Sequence, residues 1–293
     1  DLHLSGLEKL GVKIIKRHSL IYCDARNMAS DTIQLDFPSV GATENLMMSA
    51  IFLKGTTKLI NVAKEPEIVD LQNFLNSMGA DVSGAGTAEI TIVCVDKLHS
   101  TQYTPISDRI VEGTLMIATA ITGGNVTLKN ANFENNQSLI AKLSSVGCQI
   151  DIKSDIINIT SKGRPQSIDL IDTQVYPGFP TDMQAQIMSL QSISNGVSII
   201  CENVFENRYK HAKELIKMGA NIILRDRVAV VKGVECLTGA PVEATDLRAG
   251  AGLVLAGLKA NGYTTISNVY HIDRGYDQLE NILAELGANI KRI

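Results

Sequence analysis

Three acids and three arginines stand where a polypeptide chain could handle an anion. Asp182 lies in PGFPTDMQAQ (177–186), Asp246 in VEATDLRAG and Glu44 in SVGATENL, each directly after a threonine and ahead of a helix-like run. Arg208 lies in FENRYKH (205–211), Arg274 in YHIDRGY (270–276), and Arg248 two places after Asp246. An arginine beside a helix N-terminus joins a planar charged fork to free backbone amides, a pairing suited to phosphate or carboxylate. An acid facing such a site can take a proton. The same spacing has a plainer reading. Threonine at an N-cap satisfies an orphan amide, and an acid in the first turn opposes the helix dipole. The arginines would then merely pair with those acids. An anion site opposite Asp182 and Asp246 and a set of ordinary helix starts both remain open at this level.

Other candidates carry less. His211 and His271 have no partner at metal-ligand spacing, and a surface or helix-start histidine is the expected role. No metal and no cofactor are predicted. FPSVGATEN (37–45) has a single glycine and is neither a Walker loop nor a dinucleotide fingerprint, although Ser39, Val40 and Gly41 could offer amides and a hydroxyl at a helix start. The five cysteines (23, 94, 148, 201 and 236) form no C-x-x-C pair, which argues against a disulfide framework or a thiolate site. Cys94, Cys148 and Cys201 fall in apolar, strand-like runs and are expected to behave as small buried hydrophobes.

The elements that must hold these residues repeat. LEKLGVKI, FLNSMGADV, LSSVGCQI, LIKMGANI and LAELGANI place glycines at 11, 79, 147, 219 and 287, spaced 68, 68, 72 and 68 residues apart. Each glycine follows an amphipathic helix and precedes a β-branched run, so a left-handed helix terminator is predicted there. A second series in step with it, GTTKLINVA, GGNVTLKNA, NGVSIICEN and NGYTTISNV, reads as turn plus strand. Small-residue-rich helices precede these strands, and the glycines of EGTLMIATAI and AGAGLVLAGL are expected to serve packing. The repeat is therefore helix, strand, helix and a strand hairpin, an α/β fold built by duplication in which several copies bury their helices together. A linker-like break at LHSTQYTPISD (98–108) divides the chain into 1–103 and 104–293. The repeat is cut at both ends, which predicts partner segments upstream in a longer protein.

Bulk properties exclude other classes. At 293 residues, 45% hydrophobic, 20% charged and with a net charge of −4, the chain has the composition of a soluble globular protein with no polybasic patch for nucleic acid. Its longest apolar stretches, such as LVLAGL (253–258), are too short to cross a bilayer, and a cytoplasmic monomer is expected.

With these segments in view, SVGATENLMMSA, AKEPEIVDLQNFLNSMGA, YPGFPTDMQAQ, FENRYKH, ATDLRAGAGLVLAG and YHIDRGY resemble the UDP-N-acetylglucosamine 1-carboxyvinyltransferases, the MurA type of enolpyruvyl transferase. The resemblance runs from Asp1 to Ile293. It implies two domains of βαβαββ units in the inside-out α/β barrel manner, and transfer of the enolpyruvyl group of phosphoenolpyruvate to the 3-hydroxyl of UDP-N-acetylglucosamine, toward peptidoglycan and the cell wall. By resemblance, Asp182 is the acid that meets the sugar hydroxyl as suspected base, Arg274 binds phosphoenolpyruvate, and Arg248 and Arg208 are further cleft arginines. Asp246 takes the family's interdomain acid position. Asp1 and Leu2 match the end of a uridine-contacting segment, Ser39, Val40 and Gly41 a diphosphate-contacting helix start, and Val204 a UDP-sugar contact. Phe37 and Pro38 stand where some members carry a lysine. The family's loop cysteine and Lys-Asn pair match nothing in these 293 residues, so the chain taken alone is expected to be incomplete for catalysis. The alternatives are a 3-phosphoshikimate 1-carboxyvinyltransferase-like enzyme and a non-catalytic UDP-sugar-binding protein.

Overall fold

The computed structural model describes all 293 residues, which form two compact units, Asp1–Ile106 and Ser107–Ile293. The first unit opens with helix α1 (Leu2–Lys9) and an antiparallel hairpin, β1 (Lys13–Arg17) and β2 (Leu20–Asp24). One complete repeat follows: β3 (Thr32–Gln34), α2 (Val40–Ala50), β4 (Thr56–Ile60), α3 (Pro66–Ser77), β5 (Asp81–Ser83) and β6 (Glu89–Val93). Its sheet runs β3-β4-β6-β5, with β3 parallel to β4 and the other pairings antiparallel. That is a split βαβ layer closed by a hairpin, as the repeat predicts.

The second unit holds α4 (Arg109–Thr122), β7 (Gly124–Lys129), α5 (Gln137–Ser145), β8 (Gln149–Lys153) and β9 (Ile156–Ser161), with sheet order β7-β9-β8. A second complete βαβαββ repeat comes next: β10 (Leu170–Asp172), α6 (Gln184–Gln191), β11 (Val197–Cys201), α7 (Lys210–Lys217), β12 (Asn221–Arg225) and β13 (Val228–Lys232), ordered β10-β11-β13-β12. A parallel pair, β14 (Pro241–Glu243) and β15 (Thr265–Ser267), flanks α8 (Leu247–Lys259). Two short helices, α9 (Tyr270–Asp273) and α10 (Leu279–Glu285), end the chain.

The five repeat glycines all have φ between 89° and 104°. Each donates its amide to a carbonyl three residues back in the closing helix turn, for example Gly79 to Asn76 and Gly287 to Ala284. A side chain at these positions would be forced into the left-handed region, so the periodic glycine is a backbone requirement.

Small residues decide how the second unit packs. α6 is buried on every side, and α8 approaches it so closely that a Cβ on Gly252 would sit 2.9 Å from the Ala185 carbonyl oxygen. Ser189 Oγ donates to the Gly252 carbonyl at 2.8 Å across the same contact. In α4, a Cβ on Gly113 would come within 2.7 Å of Leu139 Cδ2. The packing role expected for these glycines is what the geometry shows. Of the three strand-region cysteines, only Cys148 is buried, while Cys94 and Cys201 are half-buried. Cys94 follows β6 and Cys201 ends β11, so both sit at sheet ends where coverage thins.

His211, in the first turn of α7, is fully buried, with no hydrogen-bond partner for Nε2. It is a helix-start histidine, but a core one. Burial pushes its pKa down to about 4, against the opposing pull of Asp246.

Two measurements test this packing. Gly252→Ala would gain up to about 1 kcal/mol in helix propensity on an open helix. The Ala185 contact should reverse that sign, to a loss of about 1–3 kcal/mol in urea denaturation. For His211, the unfolded ring binds a proton below pH 6.5 whereas the folded one resists it down to about 4. Stability is therefore full above the unfolded value and falls with pH across this window. Between pH 7 and pH 4.5 the wild type should lose roughly 2–3 kcal/mol more than His211→Gln.

Candidate active site

The four equivalent helix starts, three of them Thr-acid and one Ser-Asp, do not behave alike. At α8 the cap is Asp246 itself, whose Oδ1 accepts from the amides of Arg248 (3.0 Å) and Ala249 (2.9 Å). At α4 the cap is Asp108, accepting from Ile110 and Val111. At α2 it is Ser39, accepting from Ala42 at 3.4 Å, which puts Thr43 and Glu44 inside the helix. Thr43 Oγ1 instead donates to the Ser39 carbonyl and accepts from the Ala63 amide. Threonine as the shared cap is therefore incorrect. Asp and Ser rank above Thr at this position, and each threonine is spent elsewhere.

Asp182 is the exception among the acids. It lies in a single 3-10 turn, Thr181–Met183, that enters α6 without any side-chain cap. Its carboxylate binds two arginines: Arg208 Nη2 donates to Oδ1 at 2.6 Å and Arg248 Nη2 to Oδ2 at 3.1 Å. The Asp182 side chain is 38% exposed, against 19% for Arg208 and 16% for Arg248. One carboxylate and two guanidiniums leave a net positive, partly open cluster.

Distinct elements bring these groups together. Arg208 sits two residues ahead of α7, after the left-handed Asn207 (φ 56°), and lies over the Phe205 ring at 5.0 Å. Arg248 is in the first turn of α8, 5.9 Å from the centre of the Tyr276 ring. Tyr276 is buried, with its hydroxyl 2.9 Å from Thr114 Oγ1 and 3.2 Å from Gln186 Nε2. Burial works against the Arg248 charge, but Asp182 and Tyr276 outweigh it and raise its pKa above the ordinary arginine value. Arg248 Nη1 is buried without a hydrogen-bond partner.

Arg274 stands apart from this cluster. It is exposed, closes α9 rather than opening a helix, and makes no side-chain hydrogen bond or ion pair. α10 begins only at Leu279, so the expectation of an arginine beside a helix N-terminus fails for it. It lines a pocket of about 480 Å³ with Asp273, Tyr276, Asp277, Glu280 and Arg292. Arg292 braces that turn by pairing with Asp273 at 2.5 Å and Glu280 at 3.0 Å. Val204 follows β11 in a loop whose amide donates to Glu202. His271 is stacked against Tyr270, with ring centres 4.2 Å apart.

In the first unit, Asp1 precedes α1 and is fully exposed, and Leu2 begins the helix. Ser39, Val40 and Gly41 form the start of α2. The contact that joins these two helix starts was invisible in the sequence. His3 lies against Gly41, where a Cβ would meet its ring at 3.2 Å, and its Nδ1 is 3.2 Å from Asn45 Nδ2. Only an i, i+2 spacing from Asp1 pointed to His3, and that is no signal. No helix in the protein is long and apolar enough to cross a membrane.

Comparison with known proteins adds the chemistry. The profile of the EPSP synthase (3-phosphoshikimate 1-carboxyvinyltransferase) family matches residues 1–283. The chain is 52% identical over 293 residues to UDP-N-acetylglucosamine 1-carboxyvinyltransferase 2 of Caldanaerobacter subterraneus, covering all of this chain and 70% of that protein. It is 47% identical, with the same coverage, to the UDP-N-acetylglucosamine 1-carboxyvinyltransferase of Geobacter metallireducens. Among solved structures, the enolpyruvyl transferase NikO of Streptomyces tendae superposes with a TM-score of 0.86 at 25% identity, over 99% of this chain and 72% of that one. An EPSP synthase of Acinetobacter baumannii shares the fold, with a TM-score of 0.72 at 17% identity over 99% of this chain and 71% of that one. The α/β repeats are thus those of the enolpyruvyl transferase fold, and the chain belongs to the 1-carboxyvinyltransferase family, with the UDP-N-acetylglucosamine enzymes as its relatives at about half of all positions.

Proposed function

We propose that this chain serves the transfer of the enolpyruvyl group of phosphoenolpyruvate to the 3-hydroxyl of UDP-N-acetylglucosamine, releasing phosphate, in the synthesis of peptidoglycan precursors. The observation that carries the reading is the Asp182 carboxylate, withheld from helix capping and placed on Arg208 and Arg248. In the reaction the hydroxyl oxygen bonds to C2 of phosphoenolpyruvate while its proton passes to a base, and a proton adds to the terminal methylene. Loss of phosphate and of a proton from the methyl group so formed then restores the double bond. A base for the hydroxyl and cations for two anionic groups are the minimum machinery.

Asp182 is the proposed base, and Arg248, Arg208 and Arg274 the proposed anion ligands. Each Asp182 oxygen accepts one guanidinium bond and keeps a further lone pair, so a hydroxyl can reach the partly exposed carboxylate beside the arginines. An incoming phosphate or carboxylate offers the arginines a competing acceptor and so frees the base when both substrates are present. Asp246 contributes by fixing the first turn of α8, which carries Arg248. Asp1, Leu2, Ser39, Val40 and Gly41 of the first unit and Val204 of the second are proposed contacts of the UDP-sugar. This reading has the protein acting as a monomer in the cytoplasm.

Phosphate release in the intact protein tests the reading: it should depend on UDP-N-acetylglucosamine. Release with shikimate 3-phosphate instead would overturn it. Asp182→Asn should lower kcat by roughly 10²–10⁴-fold and cost far less in melting temperature, because no backbone amide loses its acceptor and the Asn oxygen still accepts from one of the two arginines. A parallel loss of stability would return Asp182 to a structural role. Arg274→Ala should raise KM for phosphoenolpyruvate about ten-fold or more, some 1.4 kcal/mol, with little change in KM for the UDP-sugar.

A further inference from the structure

Glu202 is buried at 1% exposure, immediately after β11, and every partner of its carboxylate is neutral. Oε1 accepts from Thr173 Oγ1 (2.9 Å), Thr181 Oγ1 (3.0 Å), and the amides of Val204 and Phe205 (both 3.0 Å). Oε2 is 2.9 Å from the same Thr181 hydroxyl. Burying a carboxylate away from any cation is costly, and only a full set of donors makes it tolerable.

The fold itself does not ask for this acid. In the other three copies of the repeat the residue right after the corresponding strand is an asparagine in the left-handed conformation: Asn61 (φ 58°), Asn130 (φ 56°) and Asn268 (φ 58°). Glu202 is not in that left-handed region, yet it makes the same cross-sheet amide bond as Asn61. Asn61 donates its amide to Ala88 across its sheet, and Glu202 donates to Arg227 across its own, both at 2.8 Å. The side chains then diverge. Asn61 Nδ2 reaches only the carbonyl of Leu35, after the neighbouring strand, whereas Glu202 gathers three segments. Those segments are the end of β10 (Thr173), the turn that presents Asp182 (Thr181), and the loop that runs through Val204 and Phe205 to Arg208. The copy with the buried acid is the copy that carries Asp182.

We propose that Glu202 is a positioning residue for enolpyruvyl transfer: through Thr181 on one side and the Val204 and Phe205 amides on the other, it sets Asp182 against Arg208. The inference rests on Asp182 being the base, but the geometric part stands independently. The hydroxyl of Thr181 is the link to cut, because Thr181→Val keeps shape and packing while removing the donor, and Thr181→Ser keeps the donor while removing a methyl group. Misplacing a reacting group by about 1 Å can cost on the order of 100-fold in rate.

In the intact protein, with turnover of the wild type and its loss in Asp182→Asn established first, Thr181→Val should lower kcat on the order of 10–100-fold at little change in KM for phosphoenolpyruvate. Thr181→Ser should restore most of it. Wild-type kcat in Thr181→Val, or equal losses in both variants, overturns the proposal. A crystal structure of Thr181→Val supplies the second arm, which decides the matter even if the wild type fails to turn over UDP-N-acetylglucosamine and the functional reading falls. Separation of Asp182 from Arg208 beyond their present 2.6 Å supports the positioning role, and an unchanged contact refutes it.

Discussion

Helix α6 has no face toward solvent: all eight of its residues, Gln184 to Gln191, are buried. A helix in that position is approached closely on every side, and its polar side chains can find partners only inside the protein. The close approach is met by Gly252 and Ala185, where α8 comes within a backbone's reach. Gln186 Nε2 finds Thr114 on α4 and Tyr276 beyond α9, Ser189 finds the Gly252 carbonyl, and Gln191 Oε1 accepts from Ser198, while both amide atoms of Gln184 are buried without a partner. Three members of the candidate site are referred to this helix. Asp182 stands in the turn that enters it, Arg248 in the first turn of the helix pressed against it, and Tyr276 joins its polar network to Arg248.

Asp182 and Asp246 show how one local habit of sequence can serve two ends. Both follow a threonine and precede a helix. Asp246 turns its carboxylate onto its own helix and so holds the first turn of α8, with Arg248, in place. Asp182 enters its helix through a 3-10 turn, which points its carboxylate outward to arginines 26 and 66 residues away in sequence. No feature of the dipeptide TD distinguishes the two. The distinction comes from what each neighbouring threonine bonds: Thr181 is drawn down to Glu202, whereas Thr245 stays beside Asp246.

Much of the fold was legible in the chain. The 68-residue glycine period, the small-residue helices and the paired strands all describe local chemistry, since a left-handed helix terminator or a close helix contact restricts the residue that can occupy it. The pairing of Arg208 and Arg248 with a first-turn acid was legible too, as charged side chains in first-turn or pre-helix positions. His3, Glu202, Tyr276 and Arg292 gave no signal, because their parts depend on partners distant in sequence. Arg274 was misjudged for the same reason: α9 is a single turn, too short to announce itself, and it moves the arginine from the start of one helix to the end of another.

The sequence by itself determined the repeat, the class of fold, the helix and strand boundaries near each glycine, and the family to which the chain belongs, because each is written in residues close together or in long runs of identity. Tertiary structure alone decided which acid caps and which is presented, which arginines meet it, and which carboxylate is buried to hold the loops in place. Those are questions of distance and burial. A carboxylate, a threonine and an arginine carry the same chemistry wherever they stand, and only packing fixes whether their nearest partner is a backbone amide, a guanidinium group or an incoming substrate.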